Sequence, residues 1–555
     1  MAFLNRHAIA FSVLLTVGLV IGKSFFVTND FFYAIGSPAA TVRTIITALL
    51  IFFLTTVASS LLMRLLSSRQ SGSTVTSTTA ERPISRLFFG TKPTTLLLLW
   101  AIILICWVPC LLAYWPGMFT YDITGLLQQG GDKGFSNMLP LLYTLFVKGL
   151  FGLVSAYGYE AGVILVSIVQ MVLMSFLFAN IVWRLNRMSI HLWPRIIALA
   201  WFALYPANPV FALEETKDTL FAGVFALVTL SLVQLARNPE LSLRNWRVSA
   251  LFGGGWLLLC LLRNNSMYAL LLLVVLLAVF LRKVWNGYFR RLLVALGSSV
   301  IASFAIIQVL YPAIGVQPSP TREMLSVPAQ QIALTYNLHG TELSQEQRDL
   351  VKTVIATDTK IAYNPRLADP VKDNTKNIVE DGLTIDFIRL WVSLGLRYPK
   401  PYLKAFITLN LQSWYPGTEF PDKYADKLYI ETGIAEGYGV SRNSKAPAIL
   451  NFYEGIATRA DWQRIPVVSL LFDTALPFWF AVFGVMLSLY RRQKRDLLVF
   501  LLPLCLWVTI MLGPLTNGRY AYPFFVCYPL WLCVLLSRRE ERASEAPEEA
   551  GAVAS

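Results

Sequence analysis

Thr94 to Ala113 read TTLLLLWAIILICWVPCLLA, with no charge in the run. A stretch of about 20 apolar residues is long enough to cross a bilayer as a helix, where each backbone amide must find its partner inside the same segment. Runs of this kind recur near 8–27, 40–63, 95–115, 139–157, 161–183, 193–212, 219–236, 248–264, 266–281, 292–312, 466–490, 497–514 and 521–537. Only 14% of residues are charged, against about 25% in soluble proteins, and the mean hydropathy is +0.56. These features predict an all-α polytopic membrane protein.

Lys and Arg in short links orient such a chain. They collect at 64–94, at Arg184, Arg187 and Arg195, at Arg237, Arg244 and Arg247, in RKVWNGYFRR, and in RRQKR. With these links in the cytoplasm, the net charge of +14 reflects topology, and nucleic acid is not an expected partner. Parity then requires that one run between Asp122 and Arg184 does not span. The segment 139–157, which holds Lys148, is the expected re-entrant or interfacial helix. About twelve transmembrane helices remain, with both termini cytoplasmic in a cell membrane. The implied organisation is two N-terminal transmembrane helices (1–63), a basic cytoplasmic linker (64–94), a transmembrane core (95–312) with an outer loop at 116–138, an extracytoplasmic domain (313–465), C-terminal transmembrane helices (466–537) and a disordered acidic tail (538–555). The first helix lacks a small-residue cleavage site and reads as a retained anchor.

The outer domain, roughly 150 residues and enough for a folding unit, reads as mainly helical. Ser344 and Gln347 have capping-box spacing. TIDFIRLWVSLGLRYPKPYLKAFITLNLQSWYPG reads as two amphipathic helices broken at Pro399 and Pro401, and Trp391, Trp414 and Tyr415 suit a surface lying on lipid headgroups. The six cysteines all fall in apolar segments, so no disulfide framework is implied, and Cys106 and Cys110 read as apolar packing residues. GGG at 253–255 reads as a site of close helix packing.

Topology does not account for one set of residues. YWPGMFTYDITGLLQQG follows the 95–115 helix and carries a single acid, Asp122. The same parity places Lys217 and Asp218 (EETKDTLF), Arg263 and Asn264 (LLRNNS), and Arg519 and Tyr520 (NGRYAYP) on the outer side. Any one of these cations could simply reach water along its own stem. Three of them on the side that positive-inside sorting disfavours suggest a polyanionic ligand at the outer leaflet. Polyprenyl phosphate carriers are such ligands, since their phosphate lies at headgroup level. Sugar transfer from one needs cations for the departing phosphate and a base for the attacking hydroxyl. Asp122 suits the base if partial desolvation raises its pKa; the other role open to it is N-cap of ITGLLQQ. Glu214 and Glu215 read as neutralising Lys217. Gln330 and Gln331 are secondary candidates for sugar hydroxyls, with a polar helix face as the plainer reading. No His/Cys/Asp cluster has metal-ligand spacing, so no cofactor or metal is assigned; a divalent ion between Asp122 and Asp218 is the arrangement left open.

These motifs together resemble the GT-C superfamily of membrane glycosyltransferases. More narrowly, YWPGMFTYDITGLLQQ, TKDTLFAGVFAL, LLRNNSMYALLL, REMLSVPAQQIA, ADPVK and NGRYAYPFF resemble an uncharacterised family of bacterial polytopic proteins of that type, over about residues 95–537. The resemblance implies a first-loop acid as base or metal contact at Asp122, with Lys217, Arg263 and Arg519 on the lipid phosphate. It also implies an active site facing outside, a polyprenyl-phosphate-linked sugar as donor and a cell-envelope glycan as acceptor. Many relatives carry a His-Pro pair where this chain has Met138-Leu139-Pro140, and none of His7, His191 and His339 replaces it. Two rivals follow: a transporter or flippase of lipid-linked glycans, and a non-catalytic relative that binds them.

Overall fold

The computed structural model describes residues 5–68, 88, 90–131, 134–188, 190, 192–244, 246–355, 361–418 and 430–536. The tail at 538–555, most of the 64–94 linker and His191 lie outside the described residues. Among the described residues every regular element is a helix, and the only extended pairings are isolated bridges.

The membrane part opens with α1 (Arg6–Thr28), α2 (Pro38–Ser68) and α3 (Pro93–Ala113), followed by two short helices, α4 (Tyr121–Gln128) and α5 (Leu141–Leu153). Next come α6 (Gly158–Arg187), α7 (Leu192–Leu204), α8 (Ala207–Leu213), α9 (Lys217–Arg237), α10 (Trp246–Leu262), α11 (Asn265–Leu276) and α12 (Phe289–Ala305). The insert contributes α13 (Ser326–His339), α14 (Gln345–Val354), α15 (Thr384–Arg397), α16 (Pro399–Leu409) and α17 (Pro447–Ala457). The chain returns through α18 (Leu476–Tyr490), α19 (Leu497–Ile510), α20 (Gly518–Phe525) and α21 (Tyr528–Leu536). Seven helices among the described residues are long and apolar enough to cross a membrane, and the bent pair α7–α8 makes an eighth if it counts as one span. The chain is a helical, multi-pass membrane protein.

Two elements depart from a plain run of spans. The apolar segment 193–212 is not one helix: α7 and α8 meet at 51° across Tyr205 and Pro206. Proline supplies no amide hydrogen there, and the Asn208 side chain bridges the break by donating to the Trp201 carbonyl at 2.9 Å. Helix α5 has 13 residues and rises about 20 Å, short of the hydrocarbon core of about 30 Å. Its Lys148 is not aimed at lipid. The ammonium donates to the carbonyls of Leu127 at 3.0 Å and Gln129 at 2.6 Å, where it satisfies the orphan C-terminal acceptors of α4.

At the Gly253–Gly255 triplet, Ser299 Oγ donates to the Gly253 carbonyl at 3.0 Å, and a Cβ on Gly255 would meet Val228 at 3.1 Å. Backbone and side chain from α9, α10 and α12 meet there because no larger residue intervenes.

The insert holds two kinds of packing. Residues from Leu325 to Tyr402 close around their own core, which includes Ile332, Val351, Val354, Phe387 and Leu394. The capping box at Ser344 and Gln347 is formed on α14. By contrast, Ile430, Tyr453, Ile456 and Ala457 belong to the core of the membrane bundle. The expected aromatic headgroup surface is differently placed. Trp391 donates to Gln331 Oε1 at 2.7 Å inside the insert. The Trp414 carbonyl accepts from Trp479 of α18 at 2.6 Å. Tyr415 lies on Gly22 of α1, where a Cβ would stand 2.2 Å from the ring. Gly22 opens the notch that seats the Tyr415 ring against α1.

Candidate functional site

The stretch from Tyr114 to Gln128 is held from both sides. The insert grips it through backbone: Phe119 N donates to the Gly433 carbonyl at 3.1 Å, Ala435 N to Phe119 at 2.7 Å, and Asn443 N to Trp115 at 2.9 Å. The Arg442 guanidinium lies 4.8 Å over the Tyr114 ring and pairs with Glu454 at 3.7 Å. On the bundle side, Gly117 has φ +147°, and a Cβ there would stand 2.2 Å from Ser167 Oγ of α6. Gly117→Ala is therefore expected to destabilise the fold by about 1–3 kcal/mol through overpacking and backbone strain. Thermal unfolding of the purified protein in detergent checks this, and an unchanged melting temperature counts against the close approach.

This clamping sets the position of Asp122. Thr120 occupies the cap of α4 and Asp122 lies within the first helical turn, so it is not the N-cap that the sequence left open. Its Oδ2 accepts from Arg519 Nη1 at 2.7 Å. The partner helix α20 begins where Asn517 caps it by accepting from Tyr520 N at 3.2 Å, which puts Arg519 in the first turn. Arg519 Nε also stands 3.8 Å from Asp218 Oδ2. Asp218, in the first turn of α9 and 1% exposed, accepts from Arg263 Nη1 at 2.7 Å. Arg263 continues the chain, with Nε donating to Asn265 Oδ1 at 2.9 Å. The Tyr520 ring is shared by both guanidiniums, at 4.5 Å from Arg263 and 5.2 Å from Arg519, so it serves as a cation–π platform between them.

The result is one chain of alternating charge, Asp122–Arg519–Asp218–Arg263, drawn from four helix ends. Lys217 adds a positive field at Asp122 and makes no ion pair among the described residues. Asn264 lies to the side, where its amide donates to the Asn137 carbonyl at 2.8 Å and ties α11 to the loop before α5. Gln330 and Gln331 are not part of this chain. Gln330 donates to the Asn364 and Leu367 carbonyls at 2.8 and 2.9 Å, and Gln331 is held between Trp391 and the Tyr402 carbonyl. Both are buried within the insert, where they hold loops and helices in place.

The electrostatics correct one sequence expectation. Burial pushes the Asp122 carboxyl up, but Arg519 and Lys217 together outweigh it, so its pKa lies below the ordinary carboxylate value. In this state Asp122 is a weak base. The acids with raised pKa are Glu214 and Glu215, whose roles the sequence read only as neutralising Lys217. Both are buried, each with one carboxyl oxygen lacking a hydrogen-bond partner among the described residues. The turn that carries them is fixed by Gln170, which donates to the Ala212 and Glu214 carbonyls at 3.1 and 2.8 Å, and by Thr219, which donates to the Glu214 carbonyl at 3.1 Å. Glu215 accepts from Ser167 at 3.2 Å. Burial dominates in both glutamates. At Glu214 the guanidinium of Arg519 works against it, while Asp218, Asp122 and Glu431 add to the upward shift. A glutamine inside the apolar α6 helix was the signal available for this turn.

A carboxyl whose folded pKa is raised contributes stability that is complete below its unfolded value and is lost as pH rises through the folded value. Replacing Glu214 and Glu215 together by Gln is therefore expected to flatten the loss of thermal stability as pH rises above the ordinary carboxylate range, relative to wild type. Parallel pH profiles for the two proteins would contradict the assignment.

Among the described residues no group of three or more His, Cys, Asp or Glu is arranged to hold a metal ion. No curated protein and no solved structure matches the chain. The model of a family of unknown function (DUF6020) matches residues 132–550, a span that takes in Lys217, Asp218, Arg263 and Arg519, and the chain belongs to that family.

Proposed function

We propose that this protein is a membrane glycosyltransferase of GT-C type that moves a sugar from a polyprenyl-phosphate donor to an extracytoplasmic envelope acceptor. In this reading the chain makes about twelve crossings of the plasma membrane, both termini are cytoplasmic and the site faces outside. The observation that carries the proposal is the convergence, at the ends of α4, α9, α10 and α20, of two guanidiniums and an ammonium that has no ion pair among the described residues on two carboxylates. Once Glu214 and Glu215 are protonated, three cations face two carboxylates, which leaves a positive excess suited to a phosphate. Guanidiniums bind phosphate oxygens in a two-pronged manner.

The depressed pKa of Asp122 fits this reading if donor binding changes it. A donor phosphate competes for Arg519. As Arg519 turns toward the phosphate, Asp122 loses its main stabilising cation while burial continues to push its pKa upward. The acceptor hydroxyl oxygen then attacks the anomeric carbon, its proton passes to Asp122, and the carbon–oxygen bond to the phosphate breaks. The electron pair leaves with the phosphate, whose charge Arg519, Arg263 and Lys217 stabilise. Attack opposite the leaving group inverts the anomeric centre.

The test incubates purified, reconstituted protein with labelled polyprenyl-phosphate sugars and envelope-derived acceptors, for wild type and Asp122→Asn. Transfer by wild type that the variant loses supports the proposal. Carrier translocation without transfer points to a flippase, and donor binding with neither activity points to a binding protein.

A further inference from the structure

Helix α15 is apolar on two opposite sides. Phe387, Leu390 and Leu394 face the insert core and are buried. Ile385, Ile388, Val392 and Leu396 follow one another at helical spacing on the other side, where Ile385 is 71% and Leu396 81% exposed. Leu403, on α16, is exposed as well. A helix in contact with water on its free side carries polar residues there, so a contiguous aliphatic stripe implies a second covering surface.

The chain around the stripe identifies that surface. Beyond the break at Tyr398 and Pro399, α16 is tied to the end of α1: Lys400 and Lys404 stand 3.8 and 3.6 Å from the Asp30 carboxylate. Ile407, Leu411 and Tyr415 pack against Phe25, Phe26 and Phe31. Asp30 lies two residues past the last residue of α1, which is itself long and apolar enough to cross the bilayer. This places the start of α16 at the bilayer boundary. Leu396 precedes Lys400 by four residues, which span at most about 14 Å even fully extended. Between Thr384 and Leu409 the only acid is Asp386, against Arg389, Arg397, Lys400 and Lys404. A cationic pair of helices, with Arg389 and Arg397 beside the aliphatic stripe of α15 and Lys400 and Lys404 on α16 shared with Asp30, matches an anionic headgroup layer at this level.

We propose that the Ile385–Leu396 stripe of α15 lies in the headgroup region of the bilayer leaflet next to the insert, with anionic phospholipid as its partner. The membrane-facing element of the insert is then an aliphatic stripe on α15, and Trp391, Trp414 and Tyr415 take no part in it. This holds whatever reaction the protein performs. The test places a nitroxide spin label at Leu396→Cys, and separately at Lys352→Cys on the exposed side of α14, in the full chain reconstituted into vesicles of phosphatidylcholine with phosphatidylglycerol. Collision with molecular oxygen reports lipid, and collision with a nickel chelate reports water. Expected is a several-fold higher oxygen-to-nickel accessibility ratio at Leu396 than at Lys352, reduced when phosphatidylglycerol is omitted. Nickel accessibility at Leu396 equal to that at Lys352 overturns the proposal, because the stripe is then in water. A Leu396 label shielded from both reagents also overturns it, because protein then covers the stripe.

Discussion

Asp122→Asn is expected to lower sugar transfer by about 10²- to 10⁴-fold, the usual contribution of a positioned general base, while donor binding holds or tightens. The asymmetry follows from the ion pairs. Asp122 holds Arg519 at 2.7 Å, so on the proposed reading the carboxylate and the donor phosphate compete for one guanidinium. Asparagine cannot accept the acceptor's proton and carries no charge to hold Arg519, so the substitution removes the base and the competitor together. Turnover and donor affinity then move in different directions. A purely structural Asp122 predicts something else: lower thermal stability, with turnover per folded molecule unchanged. Transfer kinetics and binding of polyprenyl phosphate, measured on the same preparation with its melting temperature, separate the two. Full transfer by folded Asp122→Asn protein removes the proposed base.

The helical membrane character was legible because it depends on composition over windows of about 20 residues, and such windows average out local detail. What depends on one residue was harder to read. The bend between α7 and α8 needs Pro206 together with Asn208, and in a sequence both are lost within the apolar run 193–212. Helices α18 and α19 begin later or end earlier than hydropathy suggests, whereas α20 opens at Gly518, ahead of the run that starts at 521. Leu476 opens α18, for example, ten residues inside the apolar run that starts at 466, because Val468–Phe472 forms a 3₁₀ turn instead. The charged residues of the site could be named from their unusual positions at helix ends, but their pairing could not. Arg519 and Asp122 are 397 positions apart, and no local pattern says that Arg519 bridges Asp122 and Asp218 or that Lys217 has no ion-pair partner among the described residues. The expected rise in the Asp122 pKa reversed for the same reason: burial can be guessed from a membrane-edge position, whereas the cations that overcome it come from other helices. Glu214 and Glu215 read only as neutralising Lys217 because two acids beside a lysine ordinarily describe a solvated turn, and here that turn is buried under α6.

Arg519→Met is expected to destabilise the protein by about 1–3 kcal/mol, below the range for a fully buried ion pair because the side chains of Arg519 and Asp122 are 21% and 19% exposed. Methionine fills similar space, so the loss is electrostatic: Asp122 and Asp218 are left without the cation they share, and among the described residues Asp218 retains only Arg263. Adding Asp122→Asn to Arg519→Met is expected to restore part of the loss, because one uncompensated carboxylate disappears. The two substitutions should be non-additive by about 0.5–3 kcal/mol, as for groups in direct contact. Arg519→Lys should fall between, since it keeps the charge and loses the fork that reaches both acids. Lys217→Met provides the contrast. With no ion pair to break among the described residues, it should change stability by no more than about 0.5 kcal/mol, yet weaken binding of polyprenyl phosphate if the positive excess is what holds the anion. Unfolding in detergent with increasing denaturant, alongside phosphate-lipid binding, measures both quantities. Arg519→Met unfolding at the wild-type midpoint would mean that its 2.7 Å contact to Asp122 and its 3.8 Å approach to Asp218 contribute nothing to the fold. A binding loss confined to Arg519 and absent at Lys217 would mean that the anion is held by the guanidinium fork alone and that excess charge plays no part.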